Sequence, residues 1–204
     1  MASNDMKERL LAAGLGLFLE QGYNSTGIQQ IANRAGAPKG SFYNYFSSKE
    51  VFGTEIIDHY AENLKEYWEY TIKNAPAEPD LAIRYMFEQM ISYHTRNTSC
   101  LGCLIGNFSA EVSLSSESCR EHLTRAQDAW CERLAVLIDD AQQQGRARQD
   151  ISARDLAFLV SSVWTGSLLR MKSEQSVKPL QDNIGVILDI IFTASAKPMT
   201  NNIQ

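Results

Sequence analysis

Residues 26–49 predict two short helices joined by a tight turn, and this pattern constrains the fold more than any other part of the chain. Thr26 precedes a periodic apolar run, so we expect its hydroxyl to cap a first helix that begins near residue 27. Gly36 stands where a helix end needs a left-handed residue, and Pro38 suits the first turn of a second helix that ends near Tyr45. The apolar positions of the first run are Ile28, Ile31, Ala32 and Ala35.

The second predicted helix carries two kinds of side chain. Phe42 and Phe46 lie four residues apart, which favours burial of both rings in a core. The other faces carry mostly hydrogen-bonding groups: Lys39, Ser41, Tyr43, Asn44 and Tyr45. In helix-turn-helix proteins the start of the second helix enters the major groove of DNA while flanking groups hold phosphates, and these residue types match that division.

The spacing GxxxIAxxAGxxKGxFYxYFxSKE, spelled here from Gly27 to Glu50, resembles the N-terminal domain of the TetR/AcrR family of transcriptional repressors. The resemblance extends upstream to a helix predicted over Arg9–Gln21 and ended by Gly22. It implies an all-α chain of about nine helices, with a three-helix helix-turn-helix DNA-binding domain over residues 1–47 and an effector-binding and dimerisation domain over residues 48–204. It also implies a homodimer that binds a palindromic operator in double-stranded DNA, and no enzymatic activity.

The same resemblance assigns DNA contacts residue by residue. The second helix is expected to approach bases or adjacent phosphates through Lys39, Gly40, Ser41 and Tyr43, with the glycine permitting close approach of the backbone. Contacts with phosphates orient a protein on DNA without specifying sequence. The residues expected mainly to make such contacts are Thr26, Asn44, Tyr45 and Lys49. Asn44 departs from the family, in which many members have an aromatic residue or a histidine at that position.

The net charge of −5 at pH 7 does not argue against DNA binding, because the charges are unevenly distributed. Residues 1–50 carry five Lys or Arg against four Asp or Glu, whereas the rest of the chain carries 14 against 20. A local basic surface formed by Lys39 and Lys49, with Arg34, can therefore meet phosphates. The acidic remainder limits nonspecific binding, which is mainly electrostatic.

Beyond residue 47 the sequence predicts helices and no β-rich segment, repeat or coiled-coil heptad. Ser47 or Ser48 is expected to cap a long helix that ends before Pro76, and residues 97–116 are less regular. The later predicted helices span residues 80–96, 106–112, 116–144 (opened by Ser116 or Ser118), 153–172 (capped by Ser152) and 179–196.

The last two predicted helices are strongly apolar, and in TetR-like proteins such helices pack against their twofold mates as a four-helix bundle. Burial within one subunit is the alternative for some of their residues. The residues that suit the bundle are Leu156, Leu159, Val160, Val163, Trp164, Ile187, Ile190 and Ile191.

Cys103 lies in the stretch GCLIGNFSAEV, near the start of the short helix predicted at residues 106–112. The dipole of a helix N-terminus favours the thiolate, which is the reactive form of cysteine. The stretch resembles the NemR/AcuR-like subgroup of the family, whose members respond to electrophiles or to small unsaturated compounds. The resemblance continues over WTGSLLRMKSEQSVKPLQDNI. It implies that Lys172 is the basic residue that approaches Cys103. There the amine would stabilise the thiolate or trap oxidised sulfur. The alternative is that Cys103 is a small buried apolar residue.

A second interpretation gives the chain a noncovalent hydrophobic effector and leaves Cys103 structural. Aromatic and thioether side chains suit the lining of such a pocket, although each of them also suits an ordinary core. The candidates are Tyr60, Trp68, Tyr85, Phe87, Met90, Tyr93, Phe108, Trp130 and Trp164.

The remaining signals are weaker. Cys100 and Cys103 form a CxxC pair, but no second ligand pair or nearby histidine completes a zinc site. We expect these cysteines, with Cys119 and Cys131, to be free thiols in a reducing compartment, and we expect no metal and no cofactor. A thiol-dependent enzyme with Cys103 as its nucleophile is a remote alternative, since no glycine-rich phosphate loop or paired carboxylates accompany it.

The chain has no apolar run of about 18 residues and no secretory signal, so we expect a cytoplasmic protein with no membrane partner.

Overall fold

The computed structural model describes residues 2–96 and 100–192, and over this part of the chain it contains nine α-helices and no strand. The predicted all-α fold is therefore confirmed. The helices are α1 (Ala2–Gln21), α2 (Ile28–Arg34), α3 (Lys39–Tyr43), α4 (Lys49–Lys73), α5 (Pro79–Arg96), α6 (Leu104–Val112), α7 (Glu117–Gln143), α8 (Ala153–Glu174) and α9 (Lys178–Phe192). None of the described helices is both long enough and apolar enough to cross a membrane.

The chain divides into two compact units. We call Met1–Tyr67 with Leu101–Asp128 the N-terminal unit, and Trp68–Cys100 with Ala129–Gln204 the C-terminal unit. The predicted boundary at residue 47 separates a DNA-binding function from an effector function, and it stays a prediction. Parts of two predictions lie outside the described residues: the irregular segment at residues 97–99 and the last helix beyond residue 192.

The turn between α2 and α3 forms as its sequence predicts. Gly36 has a φ of +67°, in the left-handed region, as predicted, whereas Pro38 is the N-cap residue of α3 and not part of its first turn. The second helix is shorter than predicted, because the amide of Asn44 bonds to the carbonyls of Ser41 and Phe42 and ends the regular turn. Residues 28–43 thus form a helix-turn-helix.

The predicted cap at Thr26 is wrong. Its side chain is buried, and its hydroxyl donates to the carbonyl oxygen of Gly22 at 2.7 Å instead of accepting from the first amides of α2. Gly27 is the residue at the N-cap, and its amide donates to Oε1 of Gln30 at 2.7 Å. Thr26 therefore ties the connection to the end of α1.

Other helix starts differ from those predicted, whereas the predicted opening of α7 by Ser116 is confirmed. α1 begins at Ala2, well before Arg9, and α6 begins at Leu104, two residues before Gly106. α5 begins at Pro79. α7 follows Ser116, whose hydroxyl accepts from the amide of Cys119 at 3.1 Å, so Ser116 caps this helix. Helix starts of this kind depend on local hydrogen bonds that periodicity alone does not specify.

Aromatic rings hold the N-terminal unit together. Phe42 and Phe46 are fully buried, as predicted, and both pack against Phe52 of α4 with ring centroids 5.0 and 4.7 Å apart. Phe108 of α6 contacts Phe18 of α1 at 5.1 Å. Burying a side chain of this size contributes roughly 1.5–3 kcal/mol. The same core therefore contains the helix-turn-helix and α6.

In the C-terminal unit α9 packs against both α8 and α5. Of the apolar residues of α8 and α9 that suit a bundle with a partner, five are buried inside the protomer, which is the alternative that the sequence left open for some of them. These residues are Leu156, Val160, Trp164, Ile187 and Ile191. The apolar side chains of α8 and α9 that remain exposed are Phe158, Leu159, Leu169, Val186 and Ile190.

Ser152 caps α8 as predicted, and removing this cap should destabilise the fold. Its hydroxyl accepts from the amide of Asp155 at 3.1 Å and donates to the Asp155 carboxylate at 2.7 Å. We expect Ser152→Ala to lower the free energy of unfolding by about 1 kcal/mol, because a helix amide loses its partner. Chemical denaturation at fixed protein concentration measures this, with Ser173→Ala, a non-capping position late in α8, as the matched control. Equal stabilities of the two variants would contradict the capping assignment.

Candidate DNA-binding surface and cysteine site

A groove of about 610 Å³ lies between the loop that precedes α2 and the exposed face of α3. Of the eight residues predicted to contact DNA, Thr26, Lys39, Tyr43 and Lys49 line it. Tyr43 is 51% exposed, and a Cβ added at Gly40 would meet no atom within 4 Å. The start of α3 therefore presents side chains and bare backbone to solvent on one surface, which we call the α3 surface.

The other residues predicted to contact DNA differ in how far they are exposed to solvent. Asn44 is exposed beyond the end of α3, and Ser41 is half-buried. Tyr45 packs against the core, with its ring 6.3 Å from that of Phe46, so only part of its side chain faces solvent. Thr26 uses its hydroxyl within the protein, as described above. The DNA contacts of all eight residues stay predictions.

Lys49 is held by Tyr23. Its ammonium donates to the carbonyl oxygen of Tyr23 at 2.6 Å and lies 4.2 Å from the centre of the Tyr23 ring. Burial lowers the pKa of Lys49 and raises the pKa of the Tyr23 phenol to about 12. An ammonium has three hydrogens to donate, so Lys49 keeps capacity for a phosphate while anchored in this way.

Arg34, proposed as part of a basic surface, forms a paired contact with Glu20. Its two terminal nitrogens lie 2.6 and 2.7 Å from the carboxylate oxygens, and this pairing lowers the pKa of Glu20. The pair is close to neutral overall. The positive charge of the α3 surface therefore comes from Lys39 and Lys49.

Sequence reasoning missed four polar residues that also line the groove: Asn24, Ser25, Gln29 and Gln30. Gln29 donates to the side chain of Asn33 at 2.7 Å, and Gln30 accepts from the amide of Gly27. A signal for them was present, because Gln29 and Gln30 separate the apolar positions Ile28 and Ile31 and must point away from the core.

Cys103 is the N-cap residue of α6 and is half-buried. The Tyr60 hydroxyl donates to its sulfur at 3.5 Å. The thiol therefore lies at the N-terminal end of a helix, beside a phenol, at the edge of the aromatic core. Lys172 is exposed on α8, in the C-terminal unit, and its predicted approach to Cys103 stays a prediction.

All four cysteines are free thiols. Cys119 is buried, and desolvation raises the pKa of its thiol. Cys131 is also buried and donates to the hydroxyl of Ser161 at 3.3 Å. Within the described residues, no group of three or more His, Cys, Asp or Glu side chains is placed to hold a metal ion.

A cavity of about 500 Å³ opens between α5 and α9 in the C-terminal unit. Phe87 lines it together with the charged side chains of Arg84 and Glu88. The remaining candidates for an effector pocket lie elsewhere, with Trp68 and Trp130 in edge contact at 5.1 Å. Tyr60 and Phe108 belong to the N-terminal unit, and Phe108 is fully buried. The predicted pocket therefore stays a prediction.

A helix-turn-helix whose second helix presents Lys39 and Tyr43 to solvent, followed by helices through the rest of the described residues, is typical of DNA-binding transcriptional regulators. Residues 10–52 match the family described as "Bacterial regulatory proteins, tetR family", and residues 81–186 match "Tetracyclin repressor-like, C-terminal domain". The chain belongs to the TetR family, and the predicted resemblance is confirmed.

The similar proteins agree with this assignment. The chain is 33% identical over 204 residues to the HTH-type transcriptional repressor DhaR of Mycobacterium sp. (strain GP1), covering 100% of this chain and 98% of that protein. It is 30% identical over 195 residues to the HTH-type transcriptional repressor NemR of Escherichia coli K12, covering 93% and 96%. The crystal structure of regulatory protein TetR from Rhodobacter sphaeroides superposes with a TM-score of 0.85 at 29% identity, covering 90% of this chain and 97% of that one. These proteins are transcriptional regulators and not enzymes, so the alternative of a thiol-dependent enzyme is set aside.

Proposed function

We propose that this DNA-binding regulator is a homodimeric repressor that leaves a palindromic operator when an electrophile or oxidant modifies Cys103. The observation that supports this most directly is the position of Cys103 at the start of α6, in the same core as the helix-turn-helix. Phe108 of α6 contacts both Phe18 and Tyr23, at 5.1 and 5.3 Å, where α1 leads into the DNA-binding segment. A change at Cys103 can therefore alter the packing beneath the α3 surface.

With an electrophile, the proposed chemistry needs only a thiolate and an electron-poor carbon. The sulfur of Cys103 would add to the β-carbon of an unsaturated carbonyl compound, forming a C–S bond, and the resulting carbanion would take a proton from water. The Tyr60 hydroxyl donates a hydrogen bond to this sulfur at 3.5 Å and so lies beside the reacting atom. The adduct enlarges a half-buried side chain at the edge of a close-packed core, which forces α6 to move.

Exposed apolar side chains support a dimer through α8 and α9. Leu159 and Val186 are 44% and 60% exposed in the protomer. Gly166 and Gly185 lie on exposed faces of the same helices, and a Cβ added at either would meet no atom within 4 Å. Small residues beside exposed apolar ones suit the close approach of partner helices in a four-helix bundle. We expect the dimer to act in the cytoplasm, where it meets DNA.

A noncovalent effector is the second candidate, favoured by the cavity between α5 and α9. Its volume of about 500 Å³ falls within the range of small-molecule sites, and Phe87, Ile184 and Leu188 give it an apolar side. A ligand there would have to bind the DNA-free conformation more tightly than the DNA-bound one, since equal affinity shifts nothing. Release of DNA that does not depend on modification of a thiol would favour this candidate.

Replacing Cys103 with serine tests the thiol switch. We expect Cys103→Ser to bind DNA from the region upstream of its own gene with the affinity of the natural protein, because the hydroxyl preserves size and polarity. Release by N-ethylmaleimide or hypochlorous acid should become at least about tenfold less sensitive, because serine is not a comparable nucleophile. Gel-shift titrations measure release, and mass mapping of the four thiols identifies the modified residue.

Cys119→Ser and Cys131→Ser are the matched controls for this experiment. Both thiols are buried, so both variants should release DNA as the natural protein does. Unchanged release in Cys103→Ser would make Cys103 structural and turn attention to the α5–α9 cavity.

A further inference from the structure

Glu111, in the last turn of α6, reaches the segment that joins α1 to α2. Its Oε2 atom accepts a hydrogen bond from the amide of Asn24 at 3.0 Å. Gly22, with a φ of +85°, passes so close that a Cβ there would lie 2.5 Å from Oε1 of Glu111. The carboxylate is thus fitted against the backbone of residues 22–24, and its partner Asn24 lines the groove beside α3.

The same carboxylate acts on Lys49. Burial lowers the pKa of the Lys49 ammonium, and the negative charge of Glu111 opposes that shift. Tyr23, between the two contacts with Gly22 and Asn24, supplies both the carbonyl oxygen and the ring that hold Lys49. Glu111 therefore acts on Lys49 mainly through the backbone that carries Tyr23.

We propose that Glu111 is a positioning residue for operator binding, which holds residues 22–24, and through Tyr23 the Lys49 ammonium, where a DNA phosphate is received. This inference rests on the proposed use of the α3 surface for DNA. It also runs against simple electrostatics, because removing a carboxylate near DNA should by charge alone strengthen binding. The proposal requires that losing support for the backbone and for Lys49 outweighs the relief of repulsion.

The position of Glu111 also links it to the proposed switch. Cys103 caps the first turn of α6 and Glu111 lies eight residues further on, about 12 Å along a helix that rises 1.5 Å per residue. Because a helix of this length moves as one element, displacement of its start by an adduct on Cys103 changes the hydrogen bond between Glu111 and Asn24. Removing that hydrogen bond by mutation should therefore weaken DNA binding and also reduce the further effect of modifying Cys103.

Three substitutions separate reach, hydrogen bonding and charge at this position. Glu111→Ala removes both oxygens, Glu111→Asp keeps the charge but shortens the side chain, and Glu111→Gln keeps the reach and an acceptor oxygen without the charge. We expect operator affinity to fall about tenfold or more in the alanine and aspartate variants, since both remove a hydrogen bond to a charged group. The glutamine variant should bind within about threefold of the natural protein. Glu121→Ala, which removes an exposed carboxylate from α7, is the control for net charge and should bind no more weakly than the natural protein.

Two further measurements distinguish positioning from general destabilisation. If Lys49 no longer meets a phosphate, the slope of log affinity against log salt concentration should become shallower by about 0.9 for each phosphate that the protein ceases to neutralise. Hydrogen exchange at the Asn24 amide should accelerate in the alanine and aspartate variants, while thermal unfolding verifies that each protein is folded. Should the alanine variant fail to fold, the comparison of aspartate with glutamine carries the test.

The proposal would be overturned by natural affinity and salt dependence in Glu111→Ala or Glu111→Asp, or by a glutamine variant as weak as alanine. Failure of the α3 surface is recognised separately: Lys39→Ala with Tyr43→Ala would then bind DNA normally. If that double variant loses DNA while the Glu111 variants keep it, only the inference about Glu111 fails.

Discussion

Replacing Lys39 and Tyr43 together with alanine is expected to abolish operator binding while leaving the dimer intact. Lys39 begins α3 and Tyr43 ends it, and both line the groove in which the backbone at Gly40 is open to approach. Each interaction with a base or phosphate contributes roughly 1–3 kcal/mol, and a dimer loses it in both half-sites, so the affinity should fall at least about a hundredfold. Fluorescence anisotropy with the upstream DNA of its own gene measures the loss.

The salt dependence gives this prediction a second readout. Removing a phosphate interaction of Lys39 from each protomer should reduce the salt slope by about 2. The control is Tyr70→Ala with Lys73→Ala, an exposed pair of the same residue types near the end of α4, which changes net charge equally. Tyr43 packs edge-on against Phe42 at 5.5 Å, so thermal unfolding must accompany the titration. Full affinity in the folded double variant would remove α3 from the DNA-binding surface.

The helix-turn-helix could be predicted from the sequence because its determinants are local. Gly36 adopts the left-handed conformation that its position between two helices indicates, and Pro38 precedes α3. Phe42 and Phe46 are buried as their spacing predicts. The hydroxyl of Ser152 accepts a hydrogen bond from the amide three residues further along the chain, which is the usual geometry of a capping serine. Signals of this kind depend on a few neighbouring residues, so one sequence is enough to read them.

The particular partner of a polar side chain could not be predicted in this way. Thr26 has the residue type of a cap, but the carbonyl of Gly22 competes for its hydroxyl. Lys49 was predicted to hold a phosphate, but the sequence did not indicate that the carbonyl and the ring of Tyr23 both contact it. The hydrogen bond between Glu111 and the Asn24 amide joins residues 87 apart in sequence. Periodicity indicates that a side chain is buried or exposed but does not name its partner.

The same limitation explains why the sequence left two alternatives open for the apolar residues of α8 and α9. An apolar helix that packs on one neighbour inside the protomer and on another in a partner subunit shows a broad apolar pattern. The sequence does not indicate which of its apolar residues face the protomer core and which face the partner. Trp164 is buried beside Phe87 of α5, with ring centroids 5.4 Å apart, so the protomer itself uses that face of α8. Leu159 and Val186 point away from the protomer core and remain exposed. The structure therefore corrects which residues are available for a dimer.

Introducing aspartate at Leu159 and Val186 should dissociate the proposed dimer and abolish operator binding. Both positions are exposed in the protomer, so a carboxylate there costs little in the isolated chain, whereas in a four-helix bundle it would be buried without a partner. Sedimentation should show a species near 22.9 kDa in place of one about twice as heavy. Operator affinity should fall by about 10²–10⁴-fold, because two half-sites are no longer bound by one linked pair of domains.

The matched control for the dimer prediction is Val136→Asp on α7, where the natural valine is 62% exposed. It introduces one carboxylate at similar exposure, outside α8 and α9, where the tested variant introduces two, and it should leave both mass and DNA binding unchanged. Some obligate dimers have no stable monomer, so a Leu159→Asp, Val186→Asp protein that unfolds at low concentration but folds at high concentration also shows that association stabilises the chain. A folded double variant that keeps the dimer mass would exclude this face from the interface. The exposed apolar residues on α8 and α9 would then need another partner, and the spacing of the two α3 helices across an operator would have to be set elsewhere.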